Sequence, residues 1–151
     1  MYGSMKRPPA AAIDYGGLDG MLGYLLRRAQ LAGFEAFHRA TAGVDITPPR
    51  FTALTIVGAN PGLSQSALGE ALGTARSGAM MLTDWLEERG LAERRRRNGD
   101  SRAWGLYLTS RGERLLDALR RRVRTQDQRL ASRLAKAERR TLLRLLEKLV
   151  H

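Results

Sequence analysis

The stretch 63–102 constrains this chain more than any other. Leu68, Leu72, Ala79, Leu82 and Leu86 recur at helical spacing on either side of Gly73-Thr74, so two short helices should pack across a tight turn. Gly73 frees the turn, and Thr74 is placed to accept from the exposed amides of the second helix. Gly90 ends that helix, with Arg89 in its last turn against the negative end of the dipole. Leu91 to Arg95 and Ala103 to Leu108 then read as two short strands around a polar tip containing Asn98-Gly99. A helix pair followed by a basic hairpin suits a surface that meets DNA in two adjacent grooves.

Outside this stretch the pattern is helical. Met1 to Met5 read as an artificial leader before a second start, and residues 6 to about 15 as a loosely held Pro/Ala-rich arm. From Leu18 to about Thr41, Leu18, Leu22, Leu25, Ala29, Ala32, Ala36 and Ala40 mark a long helix. Met21, Leu26, Gly33, Phe34 and Phe37 widen its apolar stripe beyond one face, which asks for a subunit interface as well as a core. Thr47 caps a helix with Pro48 at its first position, running to about Gly58; Asn60-Pro61-Gly62 turns and Ser64 caps the next helix. Past the hairpin, Ser110 and Glu113 form a capping box for another long helix. A last helix, about Ala137 to Leu149, carries Leu142, Leu143, Leu145, Leu146, Leu149 and Val150 in one cluster that should dock on something large. The fold class is mainly α with a small β-hairpin wing.

Charge narrows the partner. Twenty-six Lys+Arg against fifteen Asp+Glu leave +11, which favours nucleic acid first and a membrane surface or anionic small molecule second. The excess is uneven: +1 over residues 1–49, +3 over 50–115 and +7 over 116–151. Arg120, Arg121, Arg122, Arg124, Arg129 and Arg133 are either solvated or paired across a dimer, or form an anion site. Arginine supplies 23 of the 26 cations, and its planar fork suits phosphate. Cysteine is absent and His38 and His151 are the only histidines, which argues against disulfides, thiol switches and a metal centre. No paired-carboxylate, nucleophile–base or phosphate-loop signature stands out, so no catalytic residue and no cofactor are expected. With no apolar run of about 18 residues, a soluble, cytoplasmic protein is expected.

Several motifs stand in order: Thr47-Pro48 with Phe51 and Leu54; Pro61-Gly62-Leu63-Ser64-Gln65; Leu86-Glu87-Glu88-Arg89-Gly90-Leu91; Asp100-Ser101-Arg102-Ala103; and Leu108-Thr109-Ser110-Arg111-Gly112. As an ordered set they resemble the MarR family of transcriptional regulators, over about Leu18 to Leu149. The resemblance implies a winged helix-turn-helix plus a helical dimerisation region. Its parts would be an arm (1–15), a dimerisation helix (16–46), the winged helix-turn-helix (47–109) and C-terminal dimerisation helices (110–151). The homodimer would hold double-stranded DNA at a pseudo-palindromic operator, as a ligand-responsive repressor.

By the same resemblance, about 74–89 is the recognition helix and 94–102 the wing. DNA-facing residues would be Ser64, Gln65, Thr74, Arg76, Ser77, Gly78, Met80 and Met81, with Arg94, Arg95, Arg96, Arg97, Asp100 and Arg102 on the wing. Arg102 would enter the minor groove while Asp100 fixes the wing's shape. The family usually carries polar or basic side chains where Gly78, Ala79, Met80 and Met81 stand. Base contacts then fall to Arg76, Ser77 and Thr83, with Met80 and Met81 suited to thymine methyls. Trp85 and Trp104 read as packing. The effector implied is a small anionic compound, an aromatic acid or an acyl-CoA thioester, and Arg27, Arg28, His38 and Asn60 lie near the expected cleft. For His38 the plain reading, a surface or helix-capping histidine, comes first. An effector-independent architectural protein, binding DNA through the same wing, is the alternative function.

Overall fold

The computed structural model describes residues 13–97 and 99–150, the side chains of residues 100–102 excepted. Six α-helices and one antiparallel hairpin follow in the order α1 (Leu22–Ala40), α2 (Pro48–Ala59), α3 (Gln65–Leu72), α4 (Arg76–Glu88), β1 (Ala92–Arg97), β2 (Asp100–Leu108), α5 (Ser110–Leu130) and α6 (Lys136–Val150). This is a winged helix-turn-helix flanked by long helices.

Helix boundaries follow local chemistry, in places one residue away from the expected frame. The first helix begins at Leu22, not Leu18. Gly16, Gly17 and Gly20 make a continuous helix costly, and Leu18–Gly20 closes a 3-10 turn instead, with Met21 extended. Thr47 does precede α2, but its hydroxyl makes no capping bond: Pro48 and Pro49 occupy the first two positions and carry no N–H to donate. Ser64 caps α3 as expected, accepting from the Ala67 amide at 3.1 Å. The expected cap at Thr74 is displaced, because Ala75 is the N-cap residue of α4 and no side chain caps it. The capping box at Ser110 is also displaced. Thr109 is the cap, accepting from Gly112 N at 3.1 Å and donating to Gly90 O at 2.7 Å, so one hydroxyl joins the end of β2, the start of α5 and the end of α4.

Both strands are longer than the sequence pattern indicates. They pair from Ala92↔Leu108 to Arg96↔Trp104, with an irregularity between Arg96 and Arg97. At its root the hairpin gains a third partner. Gly62 N donates to Leu106 O at 2.8 Å and Leu106 N to Leu63 O at 2.9 Å, which ties β2 to the α2–α3 loop. Gly105 makes this approach feasible, since a Cβ there would lie 2.6 Å from Gly62 O.

The core forms where α2, α3, α4, β2 and α5 converge. Leu54, Val57, Leu68, Leu86, Leu106 and Leu119 have essentially no exposed surface, and Phe37 of α1 joins them. Thr83 is buried among them, its hydroxyl donating to Ala79 O at 2.8 Å. No residue of α6 is buried, and Leu22, Leu25 and Leu26 at the start of α1 are exposed. Among the described residues no helix is long and apolar enough to cross a membrane.

Candidate nucleic-acid interface

Helix α4, expected as the recognition helix, turns Ala79, Thr83 and Leu86 into the core and leaves Arg76, Ser77, Met80, Met81 and Glu88 outside. Met80 is 48% and Met81 71% exposed. Thr83, expected to reach base edges, faces inward instead, because its position on the helix is one turn from Ala79 and Leu86. The hydroxyl of Thr74 lies where a Cβ on Gly78 would sit, so Gly78 seats the turn against the helix. No side chain caps α4, so its first amides, at the positive end of the dipole, are without a side-chain acceptor from the N-cap residue.

Arg94 has a different task from the one its place on the wing suggested. Its guanidinium bonds Asp84 at 2.9 Å, Glu87 and the Gln65 carbonyl oxygen at 3.0 Å, while its own amide donates to Glu87 at 3.1 Å. It thus clamps β1 to α4 and α3, and it neutralises two carboxylates on the recognition helix. Gln65, expected at DNA, holds the same clamp. Asp84 and Glu87 were not singled out in the sequence, since their spacing to Arg94 acquires meaning only once Gly90 turns the strand back along the helix.

Further out, the hairpin is laced by cross-strand arginine–aromatic pairs. Arg95 stacks over Tyr107 with its guanidinium 4.4 Å from the ring centre and pairs with Glu93 at 3.1 Å. Arg96 lies 4.8 Å over Trp104, its partner in register. Trp104, expected as packing, is 54% exposed. Arg96 lies over the ring, which also lines a cavity of about 360 Å³ with Gln65, Arg94, Gly105 and Leu106. Arg97 is exposed near the tip. The side chains of Asp100 and Arg102 lie outside the described residues.

A second arginine–aromatic stack braces the back of α4. Trp85 is held between Arg50 (4.4 Å) and Arg89 (5.4 Å), and both arginines reach Asp45, at 3.7 and 2.6 Å. This joins the α1–α2 loop to the end of the recognition helix, and Trp85 packs as expected. Its indole Nε1 is buried without an acceptor among the described residues.

The four residues expected near an effector do not converge. Arg28 is exposed at the start of α1 and bonds the Tyr24 hydroxyl at 3.2 Å; that bond holds its pKa above the ordinary arginine value. It lines a cavity of about 630 Å³ with Tyr15, Asp19, Tyr24 and Leu25, to which Arg27, His38 and Asn60 do not contribute. Asn60 bonds Ile56 O at 2.9 Å at the end of α2, and His38 lies edge-on to Phe37. Among the described residues no group of three His, Asp or Glu side chains could hold a metal ion.

This arrangement recurs in known proteins. A family model described as MarR family matches residues 44–103. A protein of Thauera aromatica, put forward as the transcriptional regulatory protein for the hcr operon, is 39% identical over 140 residues, spanning 92% of this chain and 84% of that one. The transcriptional repressor CouR, solved bound to a 23-mer DNA duplex, is 36% identical with a TM-score of 0.84 over 92% of this chain and 99% of its own. CouR bound to p-coumaroyl-CoA gives 0.83 at 36% identity, over 92% and 98% of the two chains. The PcaV transcriptional regulator of Streptomyces coelicolor, solved with its natural ligand, gives 0.79 at 29% identity, over 92% and 96%.

Proposed function

The chain belongs to the MarR family of transcriptional regulators, and on that premise we propose that it is a ligand-responsive repressor that binds a pseudo-palindromic operator as a homodimer. The observation that carries this reading is the juxtaposition of an uncapped, outward-facing α4 with an arginine-rich hairpin, in a fold shared with a repressor solved on duplex DNA. In this reading the first turn of α4, with Thr74, Arg76 and Ser77, meets the phosphate backbone and opens the major groove to the helix. Arg95, Arg96, Arg97 and Arg102 follow the backbone into the neighbouring minor groove, with Asp100 shaping the tip. The exposed apolar faces of α1 and α6 support the homodimer, because a second copy would cover both.

The effector is a small aromatic acid or its CoA thioester, a reading supported by the likeness to CouR. Its anionic group would meet Arg28 on α1, with Arg27 one residue away; His38 and Asn60 lie apart from that cavity. The function is therefore regulatory and not enzymatic.

A gel shift on the protein's own upstream intergenic region tests this reading. The expected result is a sequence-preferring complex released by an aromatic acid or its CoA ester. Binding that falls with salt but shows no preference over scrambled DNA would favour the architectural alternative and overturn the repressor.

A further inference from the structure

We propose that the recognition helix reads sequence chiefly through the C5-methyl groups of thymine, with Met80 and Met81 as the reading side chains. The inference rests on the DNA-binding reading above and specifies what that surface selects.

The exposed face of α4 is short of hydrogen-bonding groups for a helix that must discriminate base pairs. Thr83 is buried and its hydroxyl is engaged by Ala79 O. Asp84 and Glu87 are both held by Arg94, and so is the Gln65 carbonyl oxygen. Glu88 is exposed but acidic and at the far end of the helix, where it would repel phosphate. Arg76 and Ser77 remain at the first turn, and directly after them come two large apolar side chains, 48% and 71% exposed. Residues 76, 77, 80 and 81 form one stripe over the N-terminal half of the helix, the half that such helices insert into the major groove.

In that groove a single base presents an apolar group, the thymine methyl. Methionine is suited to cover it, being unbranched and polarisable, and its sulfur is too weak an acceptor to favour the cytosine amino group instead. Arg76 fits a guanine or a phosphate beside the methyl contacts. The selected half-site is then one that carries thymines under Met80 and Met81, and its affinity for those positions depends on one carbon atom in each.

The test changes that carbon alone. The duplex is the protein's upstream intergenic site, with each half-site thymine replaced in turn by deoxyuridine, titrated by fluorescence anisotropy against wild-type protein, Met80→Ala and Met81→Ala. The expected result is a loss of about fourfold in affinity at one or two positions per half-site, the value of one buried methyl group. At those positions the Met80→Ala or Met81→Ala protein should bind the thymine and deoxyuridine duplexes equally. Replacing T·A there with C·G should weaken binding further, and 5-methylcytosine should restore part of the loss. Wild-type protein that binds every deoxyuridine duplex as tightly as the parent would overturn the inference while leaving DNA binding intact. Failure to prefer the parent duplex over a scrambled one would overturn the DNA-binding reading itself, and this inference with it.

Discussion

In the winged region Leu54, Leu68, Leu86 and Leu106 are wholly buried by other parts of the same chain, whereas α6 buries none of its residues and leaves Leu142, Leu143, Leu145, Leu149 and Val150 in solvent. The start of α1 resembles α6, with Leu22 56% exposed and Leu25 and Leu26 beside it. Apolar periodicity of similar quality runs through both regions, yet only one of them closes on itself. The difference teaches that a repeat of leucines specifies a helix face and not what covers it. At about 1 kcal/mol for each of these half-exposed leucines, covering the terminal helices would supply a sizeable driving force for association. Charge divides the same way. Among the described residues Arg94, Arg95 and Arg96 of the wing are stacked or paired within the chain, while 116–151, with eleven cations, shows one ion pair, Arg139 with Asp127 at 2.8 Å.

The largest expected effect breaks this comparison at its weaker side. Leu145→Asp places a charge in the proposed interface twice, once for each copy, so the dimer dissociation constant should rise by about a thousandfold or more. Sedimentation velocity at micromolar protein should then find a monomer with its winged region folded; an unchanged dimer would show that α6 lies outside the interface. Next in size is Leu68→Ala, which empties space in the self-contained core. It should cost about 2–5 kcal/mol in urea unfolding, by the same amount at every protein concentration.

Two arginines of the hairpin then sharpen the contrast within the winged region itself. Arg94→Ala removes no phosphate contact but leaves Asp84 and Glu87 uncompensated on the recognition helix. DNA affinity should fall by about 1–2 kcal/mol with an unchanged log–log salt slope. Arg102→Ala, if that side chain enters the minor groove, should cost about 1–3 kcal/mol and lower the slope by about one, with the dimer intact. The smallest effect is expected from Arg139→Ala on α6. Its pair with Asp127 is about half exposed on both sides, so stability should change by less than about 0.5 kcal/mol in thermal melts.

Much of the winged region was legible because its signals are local. Leu68, Ala79 and Leu86 at helical spacing, Ser64 as a cap and Gly90 as a stop each depend on neighbours within a turn or two. The caps at Thr74 and Ser110 slipped by one residue because adjacent positions could serve: Thr109 and Ser110 are both good cap residues, and only the path of β2 decides between them. What could not be read from sequence was set by pairs far apart. Arg94 looks like one of four equivalent arginines until the turn at Gly90 brings Asp84 and Glu87 against it. Trp104 looks like core until the hairpin is seen to project beyond it. The four residues expected near the effector were placed by likeness alone, and the chain by itself does not gather them.

The seam between the α2–α3 loop and β2 fixes the hairpin at one end only. Gly62 and Gly105 approach so closely beside the Leu63–Leu106 bridge that neither position has room for a Cβ without a shift. Toward the tip, Arg96 and Arg97 of β1 are exposed. Substitutions among these exposed arginines should therefore change the charge of the wing without disturbing the core beneath it. On the reading proposed above, the grip on DNA is then adjustable at this one strand while the seam beneath it stays fixed.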